Sequence, residues 1–175
     1  MKIASSIAVP LLCLLVTSAS STAQQSNKGF AVKELNAFLV QVESQFSQDE
    51  LIVEIACIGK KWEITTAKTT SEQGRRIYFD KTNEEWKKGF IDSYLGDSTR
   101  NQKLSMSIKE ICAFFIKVEG LLPQNEGIVG VEMFGKQIKV RTASSYIPLA
   151  GRGHSITFEN TNGKWEKIAQ GEWIS

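Results

Sequence analysis

His154 is the single histidine of the chain, so any chemistry that needs an imidazole has one place to occur. One imidazole excludes a histidine-rich metal centre, and zinc would have to be held by cysteine or carboxylate alone. As a general base, His154 needs an orienting partner and a nucleophile within hydrogen-bond reach. Ser144, Ser145 and Ser155 are close in sequence, but their spacing forms no nucleophile motif, and a solvated residue at the start of a strand is the plainer reading. Cys57 and Cys112 are the two thiols beyond the amino-terminal region. Apolar neighbours raise a thiol's pKa and make it inert as a nucleophile, whereas an oxidising compartment makes the same pair a disulfide candidate. Gly151-Arg152-Gly153-His154 reads as a flexible cationic loop whose arginine suits an anion or a partner's carboxylate. Arg75-Arg76 is a further basic pair, and Trp173 is an aromatic near the carboxyl end of a type that anchors interfaces. These residues supply no catalytic set, no cofactor-binding motif and no metal-ligand cluster, and the chain reads as non-enzymatic.

Positioning these groups is a matter of a concealed duplication. Lys33-Glu34-Leu35-Asn36-Ala37-Phe38 recurs 76 positions on (109 less 33) as Lys109-Glu110-Ile111-Cys112-Ala113-Phe114. Over residues 33–67 and 109–143, 14 of 35 aligned positions are identical, enough to treat a feature seen twice as framework. After a three-residue insertion Ile77, Phe79, Trp86 and Lys88 recur as Ile156, Phe158, Trp165 and Lys167. His154 then corresponds to Arg75, Cys57 to Met133, Cys112 to Asn36 and Trp173 to Tyr94. A Cys57–Cys112 bond would therefore staple one copy to the other.

Each copy opens on a helix. Val32, Leu35, Leu39 and Val42, like Ile108, Ile111, Phe115 and Val118, fall on one helical face. Ser107 and Glu110 are spaced as a capping box. Gly59-Lys60 and Gly135-Lys136 then predict two-residue type II′ hairpins. Their register sets Cys57 opposite Trp62, Ile55 opposite Ile64, Val53 opposite Thr66, Met133 opposite Ile138 and Val131 opposite Val140. A third strand follows around Ile77 and Ile156. Thr82 to Leu95 alone resembles a capped helix, but the matching Asn162-Gly163 is a hairpin signal, so both fourth segments are predicted as strands. The expected fold is α+β: two tandem α-β-β-β-β units, residues 24–98 and 99–175, each a helix on its own four-stranded antiparallel sheet.

In outline, this order of elements resembles the cystatin-like folds and the tandem helix-plus-four-strand units of secreted beta-lactamase-inhibitory proteins. The resemblance spans the chain after residue 23 as architecture, and no inhibitory residue is transferred by it.

At the amino end, Lys2, an apolar run from Ile7 to Val16 and Ser21-Thr22-Ala23 have the order of a secretory signal peptide over residues 1–23, cleaved after Ala23. The run is too short to span a bilayer, so no membrane span is expected in the mature chain. The two units carry 10 basic against 12 acidic and 10 against 7 residues, or −2 and +3. Charges this small and dispersed exclude the concentrated basic face of a nucleic-acid binder. The expectation is a secreted or periplasmic protein-binding domain of inhibitor, immunity or sensor type. It would engage an extracytoplasmic protein partner without a cofactor, and Arg152, His154, Trp173, Arg75 and Arg76 are the candidate contact residues. The alternatives are a small-molecule or lipid carrier using a cleft between the units, and a small hydrolase built on His154.

Overall fold

The computed structural model describes residues 29–58, 61–69, 73–83, 85–95, 105–145 and 151–174. The expected leader and its expected cleavage point at Ala23, the Gly59-Lys60 turn and the expected boundary between residues 98 and 99 lie outside the described residues. Helix α1 is Val32–Val42 and α2 is Ile108–Val118, each running into a single 3-10 turn. Four strands follow α1: β1 (Glu50–Ile58), β2 (Lys61–Lys68), β3 (Gln73–Thr82) and β4 (Glu85–Leu95). Four more follow α2: β5 (Gly127–Phe134), β6 (Gln137–Ser145), β7 (Arg152–Thr161) and β8 (Lys164–Ile174).

Local chemistry accounts for the ends of these elements. At the start of α2, Ser107 Oγ accepts the Glu110 N–H at 3.3 Å while the Glu110 carboxylate accepts the Ser107 N–H at 2.8 Å. Ala31 begins α1 without a side-chain acceptor, and only the return bond, Ala31 N–H to Glu34 at 2.9 Å, is made. Gly135 takes φ +56° between the paired residues Phe134 and Gln137. Asn162 and Gly163 are both at positive φ, 54° and 82°, as a type I′ turn requires.

The expected pair of separate units is not what forms. Strands β1 and β5 pair antiparallel through Glu54↔Glu132, Ile55↔Val131 and Ala56↔Gly130. The result is one mainly β structure, rather than an α+β tandem: among the described residues, a single antiparallel sheet of eight strands in the order β4-β3-β2-β1-β5-β6-β7-β8. The physical reason is that a four-stranded unit would leave β1 or β5 as an apolar edge with unpaired backbone groups over a thin core. Joining the two edges satisfies both. Two isolated bridges extend the seam reciprocally: Phe30, ahead of α1, pairs with Ile128 of β5, and Met106, ahead of α2, pairs with Ile52 of β1. Each bridge has both its N–H···O bonds, at 2.7–2.8 Å and 2.9–3.0 Å.

Both helices bury their stripes in one continuous core, which runs from Leu35, Phe38 and Leu39 to Ile111, Phe114 and Phe115 over Ile55, Ile64, Val131 and Val140. Phe38 meets Trp86 at 4.7 Å between ring centroids, and its counterpart Phe114 meets Trp165 at 5.0 Å. Among the described residues, the opposite face of the sheet carries no helix. One hairpin register departs from expectation: Ile52 pairs with Thr66 and Glu54 with Thr65, so Val53 is the extra residue of a β-bulge. Val129 is its equivalent in β5. No described helix is long and apolar enough to cross a membrane.

The bridge at Phe30 relies on two glycines. A Cβ on Gly127 would meet the Gly29 carbonyl oxygen at 2.1 Å, and one on Gly29 would meet that of Ile128 at 2.3 Å, both against backbone that cannot step aside. Gly127→Ala is therefore expected to lower unfolding stability by about 1–3 kcal/mol. Gly171→Ala, which points into open space, is expected to lose none. Urea melts of the two variants check this, and equal stabilities would contradict it.

Candidate functional site

Two polar clusters occupy matching positions on the helix side of the sheet. In the first, Glu50 precedes the bulge of β1, Thr66 lies on β2 and Arg75 is its partner on β3. The Glu50 side chain is wholly buried, and its carboxylate accepts from Arg75 Nε and Nη2. It also accepts from Thr66 Oγ1 at 3.2 Å, Ser47 Oγ at 2.9 Å and Ser47 N–H at 3.0 Å. In the second cluster, Glu126 accepts from Thr142 Oγ1 and lies 2.8 Å from His154 Nδ1. Pro123 stands where Ser47 does, so two of the first cluster's donors have no equivalent.

Both clusters tie the turn after a helix to the sheet. Arg75 reaches the Gln45 carbonyl at 3.4 Å, and each carboxylate residue closes its own turn by donating its N–H three residues back, to Ser47 or Pro123. Burial pushes the Glu50 carboxyl up, but the Arg75 and Ser47 hydrogen bonds outweigh it and hold the group at about 2. Ser44, Gln45, Phe46, Ser47, Glu50, Lys68 and Arg75 line an open polar cleft of about 440 Å³ beside this pair.

His154 thus has an orienting carboxylate but, among the described residues, no hydroxyl or thiol nucleophile bonded to its ring. Arginine, which cannot act as a base, holds the same position in the other half. A shared anchoring role explains both better than catalysis does. Arg152 and His154 lie on strand β7 rather than in a flexible loop. Gly153 between them is needed because a Cβ there would fall 1.7 Å from the Thr142 carbonyl oxygen. Trp173, paired with Gly153 across β7–β8, is half-buried, and its Nε1 donates to the carbonyls of His154 at 3.1 Å and Thr142 at 3.2 Å. Its indole fastens β8 to β6 rather than standing free. Arg152 is exposed at the start of β7.

The expected disulfide is absent: Cys57 and Cys112 are not bonded to each other. Cys57 lies in β1 opposite Trp62, and Cys112 lies on α2 close enough to feel the charge of Glu43. Burial pushes Cys57 up to about 11 and raises Cys112, with Glu43 adding to the latter, so neither is an activated nucleophile. Backbone pairing and a shared core join the halves where a covalent staple was anticipated. No group of His, Cys, Asp and Glu among the described residues is arranged to hold a metal.

The remaining candidate, Arg76, alternates with the buried Ile77 and so belongs to the helix-free face, where it lies 3.8 Å from Glu63. That face can be read from the register. Across its middle runs Asp92–Arg76–Thr65–Glu54–Glu132–Lys139–Thr157–Ala169. A second row runs Tyr78–Glu63–Ala56–Gly130–Arg141–Ser155–Gly171. Arg141 pairs with Glu132 at 3.2 Å. Ile58 and Phe134 add exposed apolar surface at the strand ends. No family model matches the chain, and neither a curated protein nor a solved structure matches it.

The depressed Glu50 carboxyl fixes the sign of a pH effect. Because its folded pKa of about 2 is below the ordinary 4.5, its contribution is full above pH 4.5 and is lost as pH falls from there toward 2. Glu50→Gln should flatten that acid limb of the stability curve. Arg75→Ala, which strands a buried carboxylate, should lower stability at neutral pH by about 3 kcal/mol. Denaturant melts from pH 7 to pH 2 read both, and an unchanged acid limb in Glu50→Gln would contradict the assignment.

Proposed function

We propose that this chain is a non-enzymatic protein-binding domain, secreted or periplasmic, that meets its partner with the helix-free face of the sheet. One observation carries the reading. Between the two halves, helix-side positions keep their character: Ile55 and Val131, Ile64 and Val140, Ile77 and Ile156, Phe79 and Phe158, Thr66 and Thr142. On the helix-free face, where Glu63 and Thr65 are buried, the same comparison gives Glu54 and Gly130, Ala56 and Glu132, Glu63 and Lys139, Thr65 and Arg141, Arg76 and Ser155, Tyr78 and Thr157. Packing against a helix constrains the first set, whereas the second has diverged in charge and includes a tyrosine and two arginines, residue types enriched at interfaces.

The dimensions suit the role. Eight strands about 4.8 Å apart and about eight residues long make a face of roughly 34 by 26 Å, comparable to the ~800 Å² one partner contributes to a standard interface. Export rests on the leader-like residues 1–23, and it would bring the face to an extracytoplasmic partner. A carrier would need a cleft between the halves, where strand pairing and the shared core fill the space.

The tagged mature chain should recover a protein from extracytoplasmic extract of its source. Tyr78→Ala with Arg141→Glu on the open face should abolish recovery, and Ile116→Lys on the exposed side of α2 should not. Loss of capture only with the helix variant, or a bound small-molecule mass in native mass spectrometry with no protein recovered, would remove the proposal.

A further inference from the structure

Taking the helix-free face as the contact surface, we infer that the partner protein seats a basic side chain, arginine or lysine, against Glu54 at the centre of that face. Glu54 and Glu132 lie directly opposite each other across the β1–β5 seam. Like charges opposed in an antiparallel pair are destabilising, so the pairing that joins the halves carries an unfavourable contact at its middle. The framework does not require it: the equivalents of Glu54 and Glu132 in the other half are Gly130 and Ala56, so small neutral residues are accepted at both positions.

The described cations around it leave this charge unmatched. Arg141 is engaged with Glu132 at 3.2 Å, and Arg76 lies 3.8 Å from Glu63. Among the described residues Glu54 is half-buried and has no hydrogen-bond or ion-pair partner. Beside the two carboxylates, Ala56 and Gly130 are directly paired; the Arg141 guanidinium covers Gly130, which leaves Ala56 as the small residue next to Glu54. The carboxylate of Glu54, next to the small Ala56, can accept from a guanidinium or an ammonium. Glu54 is already half-buried, and a charge pair completed there on binding is desolvated and contributes strongly.

The test uses the mature chain, isotope-labelled, with acetyl-arginine-amide as probe and acetyl-citrulline-amide as its neutral isostere. Saturable shifts at millimolar probe are expected for the amides of residues 54–56 and 130–132, absent with citrulline and lost in Glu54→Gln. Glu54→Gln should also weaken capture of the partner from extract by about tenfold or more, while the variant itself melts no lower than the parent. Equal shifts with citrulline, shifts retained in Glu54→Gln, or no shifts at all would overturn the inference. If Tyr78→Ala with Arg141→Glu abolishes capture while Glu54→Gln leaves it intact, the inference fails and the contact face stands. If capture survives every open-face variant, the contact face itself falls.

Discussion

Three register pairs between β1 and β5, flanked by the Phe30↔Ile128 and Met106↔Ile52 bridges, are the constraint on which the molecule depends. The arrangement is reciprocal, since each half sends the residue ahead of its helix to the first strand of the other. Neither half could close this seam alone, because each supplies the partner for the other's unpaired backbone. The bulges at Val53 and Val129 fall within it, between the stretch of each strand that meets its sister and the stretch that meets the bridging residue. With the seam formed, two thin cores become one, and Phe38 and Phe114 with their tryptophans are parts of a single cluster.

Two consequences reach the surface. On the helix side, the buried Glu50–Arg75 pair and the Glu126–His154 pair hold the turns after the helices against the sheet. The equivalent use of arginine and histidine marks these as anchors. On the other side, the seam brings β2-β1 and β5-β6 into one uninterrupted surface, and places Glu54 and Glu132, which have no counterpart in each other's half, at its centre. Residues that the fold does not need thus converge where the fold is joined.

Much of the local structure was legible in the residues. The helical stripes, the pairings Cys57 with Trp62, Ile55 with Ile64, Met133 with Ile138 and Val131 with Val140, and the strand at Glu85–Leu95 follow from periodicity and turn chemistry. The single sheet was not, because edge-to-edge pairing of β1 with β5 leaves no mark on the local pattern of either strand. Val53 was set opposite Thr66 since a bulge has no periodic signal. Glu50, Thr66 and Arg75 are each visible in the alignment with Glu126, Thr142 and His154, yet only β1-β2-β3 pairing brings residues 16 and 25 positions apart into one cluster. The cysteines misled for the same reason: without the seam, a covalent staple was the available means of joining the halves.

Native-state hydrogen exchange across the seam tests this account most directly. If β1–β5 pairing is what makes one molecule of two halves, the protected amides of residues 54–56 and 130–132 will exchange only with the opening free energy and denaturant dependence of those inside the hairpins at Ile64 and Val140. Seam amides that open at much lower free energy while both hairpins remain protected would show two units resting against each other, and would contradict it.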